Sequence, residues 1–242
     1  MISFCTSCKN RTKYLKKTLE HNLKVVQDTA HDINIVDYNS EDDLDEYMSN
    51  FSQHLNLHYH RYSCQTNEWH ASKAKNVSHI AANGDIVFNL DCDNFISKQL
   101  VFQIETIFSC VPDTIFFNAY KPGVKFNKDN IEYIGDGTGG RIALTKQNFI
   151  KLGGYDESFE PMGYQDNDLI ARSIAIGLSY IREPNYAGAV LHPKCEGMNI
   201  KSSDWEAMDQ RNKATSCSNV QNKRLICPTD FALIRDKIEQ IF

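Results

Sequence analysis

Strand-like and helix-like segments alternate along the first ninety residues, and that order restricts the folds open to the chain. Ile2-Ser3-Phe4-Cys5 reads as a strand. Residues 11–23 read as a helix with Tyr14, Leu15, Thr18, Leu19 and Leu23 near one face. Ile33-Asn34-Ile35-Val36-Asp37-Tyr38 is a second strand. Ser40-Glu41-Asp42-Asp43 then opens a helix, with Ser40 at the N-cap and Asp43 at the capping-box position. Residues 57–62 form a third strand, residues 69–82 a third helix stopped by Gly84, and residues 85–91 a fourth strand. Repeated strand–helix units predict an α/β fold, a mostly parallel central sheet flanked by helices. Residues 86–90 are apolar except for Asn89, which suits a strand covered on both faces. The second half is less regular. It offers strands over 114–120, 180–183 and 187–191, helices over 145–152 and 166–177, a glycine-rich stretch over 121–140, and a polar tail of loop and helix over 194–215. With no internal repeat or linker, the expectation is a single domain over 1–242, in two halves, 1–97 and 98–242.

The formal net charge of -5 argues against a protein that relies on a general basic surface to hold nucleic acid. No apolar run approaches the roughly 18–20 residues of a membrane-spanning helix, and the N-terminal residues lack the pattern of a secretory signal. The expected location is cytoplasmic. The eight cysteines then read as free thiols. Cys5-Thr6-Ser7-Cys8 has redox-motif spacing but no second pair to complete a zinc site. His58 and His60 alternate, so they share one face of a strand, read here as a solvated face.

Ligands of an open α/β sheet sit at the carboxyl ends of its strands. The fourth strand ends in Asp91-Cys92-Asp93-Asn94. Two carboxylates one residue apart are costly unless something positive compensates them. A hard divalent cation carrying a diphosphate is a natural partner. The plain alternative is a turn, which Asp and Asn also favour.

The segment from Asp85 to Asn94 resembles the D-x-D segment of glycosyltransferases with the GT-A fold. His70-Ala71-Ser72-Lys73-Ala74-Lys75-Asn76 resembles the helix those enzymes set beside the nucleotide, which implies donor contacts for Lys73 and Asn76. The opening Phe4-Cys5-Thr6-Ser7-Cys8-Lys9-Asn10-Arg11 resembles their first strand and nucleotide loop, implying Thr6 and Arg11, and Asp37 matches the acid that meets base or ribose. Gly139-Gly140-Arg141-Ile142-Ala143-Leu144-Thr145-Lys146, with Gly153-Gly154-Tyr155-Asp156-Glu157, resembles the acceptor-side segment of the family 2 enzymes and of the β-1,4-galactosyltransferases. Gly163-Tyr164-Gln165-Asp166-Asn167-Asp168 resembles the acidic segment that carries their catalytic base. The resemblance, from about residue 2 to 199, implies a Rossmann-like GT-A domain with a nucleotide-binding first half and an acceptor-binding, catalytic second half. It implies inverting transfer from a nucleotide-sugar, a UDP-sugar first. Asp166 would be the base, and Gly140, Arg141, Tyr164, Gln165 and Asp168 would meet the acceptor. Asp93 and His192 would hold Mn²⁺ or Mg²⁺, with Asp91 on ribose or a metal-bound water. Neutral imidazole suits Mn²⁺ better than Mg²⁺.

The chain departs from the galactosyltransferase pattern in two places. Pro161-Met162-Gly163-Tyr164 stands where those enzymes carry a Trp-rich loop, and Gln165 replaces a Glu beside the base. These changes leave donor sugar and acceptor open: a glycan, a lipid-linked glycan, another hydroxyl, or a modified base in DNA. A nucleotidyltransferase would be expected to carry a Gly-rich basic loop after the first strand; here that loop has Lys9 and Arg11 but no glycine. A non-catalytic sugar- or nucleotide-binding module would not need both acid pairs.

Overall fold

The computed structural model describes residues 1–63, 68–120, 127–128, 131–132, 140–185, 188–190 and 205–242. Its strands are β1 (Ile2–Cys8), β2 (Asp32–Asp37), β3 (Leu57–Tyr62), β4 (Ile86–Asn89), β5 (Thr114–Tyr120), β6 (Asn127–Lys128), β7 (Ile131–Glu132), β8 (Ile142–Thr145), β9 (Ser179–Asn185) and β10 (Ile238–Gln240). Its helices are α1 (Thr12–Val26), α2 (Leu44–Ser49), α3 (Ala71–Ala81), α4 (Lys98–Cys110), α5 (Lys146–Leu152), α6 (Gln165–Ala175), α7 (Trp205–Gln221) and α8 (Phe231–Arg235). Eight strands form one sheet in the order β10-β3-β2-β1-β4-β8-β5-β9, and β6 pairs with β7 separately.

The first half follows the expected alternation: β3, β2, β1 and β4 are parallel neighbours. Neighbouring residues of β1 and β4 point to opposite layers, as a pleated strand requires. Phe4 and Phe88 pack with Leu15, Leu19, Ile33 and Ile104 under α1 and α4. Cys5 and Val87 pack with Val77, Ile80, Phe149 and Leu169 under α3, α5 and α6. The sheet is thus covered on both faces, and the carboxyl ends of β1, β2 and β4 open at one edge.

The sheet is mostly parallel, as expected, and the second half adds two antiparallel strands to it. β8 runs antiparallel between β4 and β5, and β10 runs antiparallel along β3. The chain leaves β5, makes the β6–β7 pairing, and returns as β8, a hairpin-like excursion that needs no crossover helix.

Two local expectations also change. The helix expected from Ser40 starts at Leu44. The Asp37 carboxylate takes the Ser40 N–H at 2.7 Å, which bends residues 37–40 into a turn, and the Ser40 Oγ accepts the Asn10 N–H at 3.1 Å instead of capping a helix. His60 does not face solvent. It is only 4% exposed, because β10 covers the flank of β3 and the ring is turned under the end of α3. Cys5 and Cys8 are buried free thiols. Among the described residues no helix is long and apolar enough to cross a membrane.

Candidate active site

The Asp91–Asn94 turn is fixed from three sides. Leu90 N–H donates to Cys5 O at 2.9 Å, and Thr6 Oγ1 donates to Leu90 O at 2.7 Å, so β1 holds the end of β4. From α1, Thr18 Oγ1 donates to Cys92 O at 2.7 Å and Asn22 Nδ2 to Asn94 O at 2.9 Å. From the far side, the N–H groups of Phe95 and Val190 donate to Gly188 O and Asp93 O, at 3.0 and 2.7 Å. Arg141, 2% exposed, bonds both Asn94 Oδ1 and Gly188 O. The Cys92 side chain points into the core, leaving Asp91 and Asp93 half-buried.

Each acid has a close cationic neighbour. Arg11 Nη2 meets Asp93 Oδ2 at 2.9 Å, with both side chains 13% exposed. Lys75 Nζ meets Asp166 Oδ1 at 2.6 Å. Gly140 joins the two sets. Its φ is +86°, and a Cβ there would lie 2.9 Å from Asp91 Oδ2, 2.9 Å from Asn89 Nδ2 and 3.2 Å from Lys75 Nζ. Asp91, Asp93 and Asp166 therefore lie in one electrostatically coupled cluster with Arg11 and Lys75. Burial raises the Asp91 pKa, and Asp93 and Asp166 push it the same way against Lys75 and Arg11. Burial pulls the Lys75 ammonium down, but Asp166 and Asp91 outweigh that and its pKa rises. A third cation, Arg141, sits on Asn94 of the same turn, and among the described residues no three acids, histidines or cysteines are grouped so as to hold a metal ion.

Asp166 stands in the first turn of α6, which begins after Gly163 (φ +98°) and Tyr164 (φ +61°), both left-handed. Gln165 is buried, and its Nε2 lies 3.4 Å from Asp166 Oδ2. The Gln that stands where a Glu was expected thus presents an amide donor, not a second charge, to Asp166.

The remaining expected residues fall elsewhere. Asp168 is fully buried against fully buried Arg172 at 2.6 Å, out of reach of any acceptor. Asn76 is 0% exposed; it exchanges hydrogen bonds with the Tyr155 backbone at 2.9 and 2.8 Å, so its amide holds α3 to the 153–157 loop. Lys73 is exposed on the first turn of α3, two residues before the lysine that reaches the acids. The Thr6 hydroxyl is spent on Leu90. Asp37 sits at the β2 edge, 4% exposed, with its pKa raised by burial. His192 lies outside the described residues. Lys75 is the site residue that motif reading passed over, although its place on the face of Ala71 and Ser78 marks a cation on the buried side of a helix. A separate hollow of about 690 Å³, lined by Asp156, Ile176 and Asn219 among others, opens at the opposite end of α6 and holds none of the expected residues.

An open, doubly covered α/β sheet with an acid turn at its switch edge, completed by a carboxylate from the second half, is the GT-A architecture of glycosyltransferases. The model for glycosyl transferase family 2 matches residues 3–137, more than half of the chain, and the chain belongs to that family. A second model, described as the N-terminal domain of galactosyltransferase, matches residues 121–195, which include Asp166. No curated protein sequence matches. Among solved structures, residues 1–349 of TarS from S. aureus, in complex with UDP-GlcNAc, superpose with a TM-score of 0.66 at 15% identity, covering 96% of this chain and 69% of that one. Mannosyltransferase PcManGT from Pyrobaculum calidifontis, in complex with GDP-Man and Mn²⁺, gives 0.65 at 14% identity, covering 91% and 64%. Against a longer TarS structure the chain covers 41% of its length.

Proposed function

We propose that this glycosyltransferase moves a sugar from a UDP-sugar to a hydroxyl acceptor in one inverting displacement, with Asp166 as general base. The observation that carries the reading is the convergence of Asp91, Asp93 and Asp166, from two distant parts of the chain, around Gly140 and Lys75. The neighbours solved with UDP-GlcNAc and with GDP-Man and Mn²⁺ support a nucleotide-sugar donor. The carboxylate oxygens of the Asp91–Asn94 turn are the donor type a hard divalent ion takes. Asp93, with His192 two residues after Val190, would hold Mn²⁺ or Mg²⁺, which supplies positive charge to the leaving diphosphate. Arg11 lies beside Asp93 and extends that positive field. Asp91 would contact ribose or a metal-bound water, and Asp37 and Arg11 would line the nucleotide pocket.

On the acceptor side, Asp166 takes the hydroxyl proton at its carboxylate as the new C–O bond forms. Lys75 donates to that carboxylate at 2.6 Å and orients it. Tyr164, Gln165 and Gly140 border the approach. A panel of nucleotide-sugars with Mn²⁺ or Mg²⁺, scored for released nucleoside diphosphate and for thermal shift, tests the reading. A UDP-sugar should be turned over and should raise the melting temperature only with metal. Turnover of no nucleotide-sugar would leave a binding module as the function.

A further inference from the structure

A second polar pocket lies away from the acid cluster. Its volume is about 260 Å³, and it is bounded by His60 of β3, the end of α3, Lys146 at the start of α5, Arg235 of α8 and Gln240 of β10. Two features mark it. The His60 ring is 4% exposed, lines the pocket, and has no hydrogen-bond partner at Nδ1 or Nε2. A buried ring nitrogen left unpaired is costly, so a missing partner is expected at that point. The second feature is charge. Lys146 and Arg235 enter from different elements, and no carboxylate belongs to the wall. Lys146 Nζ donates to the carbonyls of Ile80 and Ala82, capping α3, while Arg235 has no ion-pair partner among the described residues. Asp32 acts on Lys146 electrostatically, but it lies outside the wall and faces His58 at 3.6 Å. Burial lowers the Lys146 pKa, and among its neighbours Arg235 adds to that while Cys5 and Asp32 oppose it.

We infer that this pocket binds a phosphate-class oxyanion, either inorganic phosphate or the head of a small phosphomonoester, between Arg235, Lys146 and the His60 ring. Neutral His60 supplies one N–H, the guanidinium supplies a planar pair of donors, and the Gln240 amide supplies another. The site is independent of the donor pocket, whose residues it does not share.

The test titrates inorganic phosphate, and separately glycerol phosphate, into the full chain at constant ionic strength, following the His60 ring signals by NMR. The signals are assigned from their loss in His60→Gln. Phosphate should shift them saturably, and Arg235→Gln should weaken the affinity about tenfold or more, with Arg235→Lys, which keeps the charge but loses the paired donors, falling between. Arg235 is exposed, so these variants should fold, and an unchanged melting temperature without phosphate confirms it. Preference for glycerol phosphate would identify a phosphomonoester, and preference for phosphate a free ion. Phosphate that leaves the His60 signals unmoved, or an Arg235→Gln affinity within twofold of wild type, overturns the inference.

Discussion

Replacing Arg172 by Met removes the cation from the most deeply buried ion pair described here, and its cost can be worked through contact by contact. Arg172 and Asp168 are both 0% exposed and meet at 2.6 Å. Arg172 also donates to Gly154 O at 2.8 Å and to Leu152 O at 3.1 Å. Met fills similar volume, so the cavity cost is small. Breaking a buried pair from one side costs about 3–5 kcal/mol, because the remaining charge is left without a partner. Each orphaned carbonyl adds about 1 kcal/mol. The sum, about 5–7 kcal/mol, rivals the whole stability of an ordinary domain at about 5–15 kcal/mol. Urea unfolding followed by circular dichroism should show a large fall in midpoint at unchanged slope. The double variant Asp168→Leu with Arg172→Met should recover most of the loss, since no buried charge remains. A single variant within about 1.5 kcal/mol of wild type would refute this reasoning and return Asp168 to candidacy as an acceptor ligand.

Asp166→Asn should keep nucleotide-sugar binding and lower turnover by about 10²–10⁴-fold, and product NMR should show an inverted anomeric centre; retention would remove Asp166 from the base role. Asp93→Ala should abolish metal-dependent turnover, and full activity of the wild type in EDTA would sink the metal assignment. Gly140→Ala should lower turnover at least about tenfold, since a methyl there crowds Asp91 and Asn89 at 2.9 Å on a left-handed backbone, and unaltered kinetics would place Gly140 outside the pocket. Burial lowers the pKa of His79 to about 3, from an ordinary value of 6.5. The unfolded chain takes up that proton first, so this contribution to stability is lost as pH falls below 6.5. The loss is about 2 kcal/mol between pH 7.5 and pH 5. In His79→Gln the change in urea-unfolding free energy over that interval should shrink by about that amount, and an unchanged pH dependence would contradict it.

The fold of the first half was legible because strand, helix and acid turn are each written in short stretches. The antiparallel β8 was not. Its direction depends on where residues 121–139 carry the chain, and no local pattern encodes that. Within the site, Asp91, Asp93 and Asp166 could be read from motif and position. Lys75 needed one more step, the recognition that it shares a face with Ala71 and Ser78 while Lys73 does not. Asp168 and Arg172 carry their pairing in the sequence as an i, i+4 spacing, a sign of structure that the acidic motif obscured. Thr18 and Asn22, which clamp the acid turn, gave no signal, because their partners lie more than seventy residues away.

The pairing of β10 with β3 also bears on how the chain emerges during synthesis. Until residues 238–240 leave the ribosome, the outer edge of β3 presents unpaired N–H and C=O groups beside the half-built sheet. Synthesis at about 5–20 residues per second leaves that edge open for roughly 8–30 seconds after the first four strands can pair. Edge-to-edge association in that interval would compete with native closure, and truncation before β10 would make the exposure permanent.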